Sequence, residues 1–155
     1  MANAQVKMED EGQKYRIIPN TPKDFVPAIM LDCVDNTYAD RNYTITCQTV
    51  EFSAVCPKTG QPDLYQLSIS YCPGAKIVEL KSLKLMLGCY RNVGMFVENI
   101  ANHILDLFSE AVGPKYLVVK IAQAVRGGIE TIVTVTKGTI PDDDKPEQKN
   151  DFDTM

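Results

Sequence analysis

Two stretches of the chain alternate apolar and polar residues with a period of two. Between Tyr43 and Val50, Tyr43, Ile45 and Cys47 alternate with Thr44, Thr46 and Gln48. Between Leu64 and Cys72, Tyr65, Leu67, Ile69 and Tyr71 fall on one face, with Gln66, Ser68 and Ser70 on the other. Each pattern predicts a half-buried strand. The Pro- and Gly-containing run from Ser53 to Asp63 between them predicts a compact loop, so the two strands should pair antiparallel. The period then changes. Leu83, Met86, Leu87 and Tyr90 recur at helical spacing, and Asn92 and Gly94 end that segment. A second helix is predicted from about Met95 to Val112, striped by Phe96, Ile100, Ile104, Phe108 and Ala111 and stopped by Gly113-Pro114. Tyr116 to Val125 and Ile129 to Thr136 read as two further strands, joined at Arg126-Gly127-Gly128, where glycine supplies positive φ. The order β-β-α-α-β-β predicts an α+β domain with two helices on one face of an antiparallel sheet. Its other face would carry Thr, Ser and Gln mixed with apolar residues. Subunit packing would cover it, so a homo-oligomer is expected.

Proline punctuation and charge set the boundaries. Residues 1–40, broken by Pro19, Pro22 and Pro27, read as an N-terminal arm, 41–140 as the folded domain and 141–155 as an acidic tail expected to be disordered. The tail holds six acids and two lysines, which accounts for the whole net charge of −4; the rest of the chain balances. A balanced domain has no basic surface with which to grip phosphates, so no stable nucleic-acid partner is expected. No apolar run reaches the ~18–20 residues that span a bilayer, so no membrane association is expected. The polar stretch Met1 to Arg16 lacks the apolar core of a signal peptide, and a cytoplasmic location is expected. The five cysteines are widely spaced and the single histidine is His103, so no metal site is predicted. Cys33, Cys47, Cys72 and Cys89 read as small buried hydrophobes.

Cys56 differs, because it shares a short loop with Asp63, seven residues on. Pro57 holds Cys56 extended, Thr59-Gly60 can reverse the chain and Pro62 stiffens the approach to Asp63. A thiolate attacks an electrophilic carbon, and a nearby acid protonates the atom that gains charge. The same residues also describe a turn-rich loop with an incidental cysteine. Lys81 and Lys84, at i and i+3 within Glu79-Leu80-Lys81-Ser82-Leu83-Lys84, share a helix face that could receive a phosphate or simply face water. Arg126-Gly127-Gly128 is a weak anion-binding turn taken alone. Glu98 could complement a helix N-terminus, or accept two N–H donors from a guanine-like ring.

Taken together, these residues resemble the QueF-type 7-cyano-7-deazaguanine reductases. The run Glu51 to Asp63 (EFSAVCPKTGQPD) is similar to the family's signature loop, and Val78 to Lys84 (VELKSLK) to its lysine motif. Tyr90-Arg91-Asn92, Glu98, Pro114-Lys115-Tyr116 and Arg126-Gly127-Gly128-Ile129 follow in order, so the resemblance covers about residues 40 to 138. It implies the tunnelling fold, whose β-β-α-α-β-β order agrees with the periodicity, assembled as homo-oligomeric rings with active sites at subunit interfaces. The short chain resembles the single-module branch.

The implied activity is NADPH-dependent reduction of the nitrile of 7-cyano-7-deazaguanine to the aminomethyl base, in queuosine biosynthesis. By resemblance, Cys56 adds to the nitrile carbon to give a thioimide and Asp63 relays protons. The deazaguanine ring is held by Glu98 with Val97, Glu79 and the backbone of Val78 and Leu80. Lys81, Ser82, Lys84 and the Arg126-Gly127-Gly128 turn are the implied NADPH contacts. Two positions depart from the family pattern: Val97 stands where a histidine usually precedes the glutamate, and Met86 where an aromatic closes the lysine motif. Alternative readings are an amidine-forming relative, in which ammonia attacks the same thioimide on tRNA or DNA guanine analogues, and a non-catalytic deazapurine- or pterin-binding protein of the same fold.

Overall fold

The computed structural model describes residues 25–139, together with the backbone of 9–10 and 13–14. Two short strands, β1 (Glu9–Asp10) and β2 (Gln13–Lys14), pair with each other. The main sheet is antiparallel, in the order β4 (Ile45–Val55), β5 (Pro62–Cys72), β7 (Tyr116–Arg126), β8 (Ile129–Gly138). Helix α1 (Leu80–Gly88) continues into a 3₁₀ turn, Cys89–Asn92, and α2 (Val97–Val112) follows. This is the α+β arrangement that the periodicity predicted, and its order is that of the tunnelling fold which the resemblance implied. The acidic tail and most of the arm's first 24 residues lie outside the described residues. Within them, β3 (Cys33–Asp35) pairs antiparallel with β6 (Lys76–Val78), and Phe25 packs its ring 4.9 Å from that of Tyr90. Among the described residues, no helix is long and apolar enough to cross a membrane.

One face of the sheet and the inner faces of the helices make the core. Tyr65, Leu67, Ile69 and Tyr71 of β5, and Leu117, Val119 and Ile121 of β7, are buried against Ile100, Ile104 and Phe108 of α2. Each of these large apolar side chains contributes about 1.5–3 kcal/mol by leaving water. Helix α2 ends as predicted, at Gly113 in the left-handed region with φ 60°.

Three details depart from the periodicity. First, the cross-strand ladder continues through Ser53↔Leu64, Ala54↔Asp63 and Val55↔Pro62. The predicted 53–63 loop therefore shrinks to the few residues between Val55 and Pro62. Second, α2 starts at Val97, and the extended backbone of Phe96 (ψ 147°) leaves that ring 48% exposed, outside the buried stripe. Val97 takes its place in the core, 5% exposed, one turn ahead of Ile100 and Ala101. Third, both neighbours of β5 carry a one-residue bulge near the same end of the sheet. In β4 the register slips between Thr49 and Phe52, and in β7 between Gln123 and Arg126. A bulge reverses the in–out phase of everything beyond it. Inward residues in β4 thus switch from Ile45, Cys47 and Thr49 to Phe52 and Ala54, the phase that Cys56 continues.

Candidate active site

Cys56 leaves β4 and Asp63 enters β5 at facing ends of the same ladder, because Ala54 and Asp63 are register partners. The turn between them is closed by its own backbone. Cys56 N–H donates to Gln61 O (2.8 Å), and Gly60 N–H donates to Cys56 O (2.9 Å). Gly60 accepts the required positive φ (71°). The turn therefore sets Cys56 at the end of the strand facing the one that Asp63 enters.

Asp63 is a buried carboxylate, 4% exposed, at the centre of a polar cluster. Arg126 Nη2 lies 2.6 Å from its Oδ1 and donates to Pro62 O at 2.6 Å. The β7 bulge makes this possible, by turning Arg126 toward the helix-covered side on which Asp63 and Tyr65 lie. Despite the ion pair, Oδ1 receives no aligned hydrogen bond. Tyr65 also hydrogen-bonds the carboxylate; burial first, then the Asp63 charge, pushes its phenol up, so it serves as the donor.

Around Cys56, opposing influences meet. Burial raises the thiol and so does the Asp63 charge, but hydrogen bonds from the Thr59 hydroxyl, Thr59 N–H and Lys58 N–H outweigh both. The net result holds the thiol below its ordinary value, which raises the thiolate fraction available as nucleophile near neutral pH.

The start of α2 is fastened beside this pair. Val55 N–H donates to Val93 O (3.0 Å), Met95 N–H donates to Val55 O (3.2 Å), and Val55 forms a parallel bridge with Gly94. Cys56, one residue past Val55, thus emerges next to the segment that leads into Phe96, Val97 and Glu98. Glu98 is exposed in the first turn of α2, whereas Val97 faces the core. His103, the sole histidine, lies on another face, with Nδ1 2.6 Å from Tyr90 Oη. Burial lowers the imidazole and raises the phenol, so neutral His103 accepts from Tyr90.

The lysine motif forms a second group. The Glu79 carboxylate caps α1, accepting from Lys81 N–H (2.9 Å) and Ser82 N–H (2.7 Å), bonds that hold it below the usual carboxylate range. Ser82 is buried, where its hydroxyl accepts from Asp32 N–H (2.9 Å) and donates to Glu79 O (2.7 Å). Val78 N–H donates to Tyr71 Oη (3.2 Å). Within a single chain, therefore, Glu79, Ser82 and Val78 N–H are engaged in holding α1, the arm and the sheet together, while Lys81, Lys84 and Leu80 stand exposed. A groove of about 710 Å³ between β4 and α1 is lined by Leu80, Lys84, Phe52 and Cys89, among others. Cys56 and Asp63 do not line it. One chain brings Cys56, Asp63, Arg126 and the α2 N-terminus together and leaves Lys81 and Lys84 on a separate surface.

Two residues and one pairing escaped the sequence reading. Tyr65 was assigned to the core alone, although its position two residues from Asp63 places both on one strand face. Thr59 was read only as a turn former. The pairing of Arg126 with Asp63 depends on a bulge that no residue announces.

A model of the family described as "QueF-like protein" matches residues 62–142. The NADPH-dependent 7-cyano-7-deazaguanine reductase of Chlorobaculum tepidum is 47% identical over 107 residues, which is 69% of this chain and 92% of that protein. The enzyme of the same name from an Anaeromyxobacter species is 44% identical over 115 residues, 74% of this chain and 94% of that one. Among solved structures, the apo form of the archaeosine synthase QueF-Like is similar with TM-score 0.59 and 26% identity, covering 63% of this chain and 96% of that one. With its two helices on a β4-β5-β7-β8 sheet and Cys56 set against Asp63, this chain belongs to the QueF family.

Proposed function

We propose that this chain is an NADPH-dependent nitrile oxidoreductase that converts 7-cyano-7-deazaguanine to 7-aminomethyl-7-deazaguanine, in queuosine biosynthesis. The single observation that carries the reading is the Cys56 thiol, held toward thiolate beside the buried carboxylate of Asp63. The Cys56 sulfur adds to the nitrile carbon. A C–S bond forms, the π pair moves to nitrogen, and nitrogen takes up a proton through Asp63, giving a thioimide. Glu98 accepts the N–H donors of the deazaguanine ring, and Val97 supports that turn of α2 from beneath. Val78, Glu79 and Leu80 complete the substrate surface across a subunit boundary.

The residues present fit a dinucleotide phosphate. Lys81 and Lys84 are exposed on α1 at i,i+3, and Arg126 opens an exposed turn in which Gly127 and Gly128 both take positive φ (59° and 78°). Bound there, NADPH would supply hydride, two equivalents for a four-electron reduction. Cys56, having carried the base as a thioimide, would leave as thiolate when its C–S bond breaks. Asp63 passes the protons that nitrogen needs. Arg126 would be shared between Asp63 and the cofactor, and Ser82 would act by holding α1 against the arm.

Two features support a homo-oligomer with interface sites. The outer strands β4 and β8 are 11 and 10 residues long with outer edges unpaired among the described residues, and such edges are ready templates for a second copy. The groove that Lys84 lines does not include Cys56 or Asp63, which suits a site completed by a neighbouring copy.

The test is purified protein with 7-cyano-7-deazaguanine, followed at the NADPH absorbance band with and without ammonia. Nitrile-dependent NADPH oxidation is expected without ammonia. Val97 in place of histidine favours one second reading, amidine formation, and its mark would be nitrile consumption that requires ammonia and leaves NADPH untouched.

A further inference from the structure

We propose that Arg126 is a positioning residue used in turn by the acid and the cofactor: it holds Asp63 in the free protein and releases that carboxylate when it pairs with a phosphate of NADPH. The inference rests on the cofactor reading above and adds a coupling between the two sites. Arg126 Nη2 lies 2.6 Å from Asp63 Oδ1 and donates to Pro62 O at 2.6 Å. Both contacts are with adjacent residues at the start of β5 and both use one nitrogen, so moving that nitrogen breaks both. Only one member of the pair is free to move. The Asp63 side chain is 6% exposed, on a strand residue held in register with Ala54. The Arg126 side chain is 43% exposed, at the end of β7, beyond the bulge and beside the turn at Gly127 and Gly128. A guanidinium so placed can turn to an outside anion while the carboxylate stays where it is. A phosphate group offers it the bidentate acceptor geometry that the planar fork matches.

The exchange suits the order of the chemistry. The charged and titratable groups around the carboxylate are Cys56 from the thiol turn, Tyr65 from β5 and Arg126 from β7, while the Val93–Met95 segment brings backbone. Among the described residues, Arg126 is the only cation in ion-pair contact with Asp63. The Asp63 charge opposes a thiolate on Cys56, and a cation 2.6 Å from that carboxylate offsets it. With Arg126 in place, the thiol is therefore favoured as nucleophile. Once Arg126 has turned to a phosphate, Asp63 Oδ1 is open to the substrate nitrogen, which needs its protons during the reduction. Such sharing is reciprocal: what the phosphate costs the acid, the acid costs the phosphate. Asp63 should therefore weaken cofactor binding, and should do so through Arg126.

The experiment is calorimetric titration of the full-length protein with NADP+, for wild type, Asp63→Asn, Arg126→Ala and the double variant. Asp63→Asn should bind NADP+ ~2–5-fold more tightly than wild type, the scale of a partly exposed ion pair. In the Arg126→Ala background the same change should have no effect, because a double-mutant cycle isolates what passes through that side chain. Equal tightening in both backgrounds would reveal bare repulsion between Asp63 and the cofactor, and weaker binding by Asp63→Asn would mean that the acid prepares Arg126 for the cofactor; either result overturns the proposal. Arg126→Lys keeps a cation opposite the buried carboxylate and repeats the cycle should Arg126→Ala not fold. In that background Asp63→Asn should tighten binding by less than it does with arginine, and an equal gain would again overturn the sharing. The two readings fail differently. A folded wild type that binds no NADP+ removes the cofactor reading and this inference with it, whereas NADP+ binding that Asp63→Asn leaves unchanged removes the inference alone.

Discussion

Arg126 on β7 and Asp63 on β5 meet at 2.6 Å because a bulge in β7 gives Arg126 the inward phase that a regular strand would have denied it. The pair joins two parts of the chain that the sequence separates into different motifs, the thiol loop and the glycine turn. It ties Arg126 to the acid itself as well as to the glycine turn that it opens.

Replacing Arg126 should therefore affect more than cofactor binding. Arg126→Ala leaves Asp63 buried without its charge partner. The guanidinium is 43% exposed, so water discounts the loss to a destabilisation of about 1 kcal/mol. Turnover at saturating NADPH should fall ~10-fold or more, and Arg126→Lys should recover only part of it, since both contacts are made by the terminal Nη2 and the lysine ammonium differs from it in reach and in donor direction. An Arg126→Ala enzyme that differs from wild type only in the KM for NADPH would show that the pair with Asp63 is incidental.

Cys56 should carry the base covalently when NADPH is withheld. Intact-protein mass spectrometry is expected to show one 7-cyano-7-deazaguanine added to wild type and none to Cys56→Ala. An adduct persisting in Cys56→Ala would move the nucleophile to another cysteine, with Cys33, Cys47 and Cys89 the half-buried candidates.

Asp63→Asn retains the shape and the Tyr65 hydrogen bond while removing the exchangeable proton. Substrate binding should survive, and turnover should drop at least ~100-fold, the usual scale of a general acid–base contribution. Weakened binding with unchanged turnover at saturation would mean that Asp63 only shapes the loop.

The His103–Tyr90 contact predicts a pH-dependent stability. Burial lowers the folded-state imidazole below its ordinary value of 6.5, so the folded protein binds fewer protons than the unfolded one across that window. The stability linked to neutral His103 is fully present above pH 6.5 and is lost as pH falls through the depressed value. Acidification from pH 7 to 5 should lower the Tm of wild type more steeply than that of His103→Gln, which cannot take up this proton. Equal slopes in calorimetry would remove His103 from the linkage.

Period-two and helical spacing determined the element order, the antiparallel pairing, the buried faces of β5 and β7 and the stop at Gly113, because each depends on side chains a few residues apart. The Cys56–Asp63 loop was legible for the same reason: Pro57, Gly60 and Pro62 constrain the backbone locally. The phase of α2 was misread at its first turn, since either Phe96 or Val97 could head an apolar stripe; the Val55 bridge to Gly94 decides it by fixing where the chain enters the helix. The two bulges, the Arg126–Asp63 pair and the engagement of Glu79 and Ser82 with α1 and the arm were set only by tertiary structure. A bulge arises from how three strands share one sheet, and Ser82 meets Asp32 from 50 residues away. Such contacts follow from long-range packing, which leaves no local signature in the residues themselves.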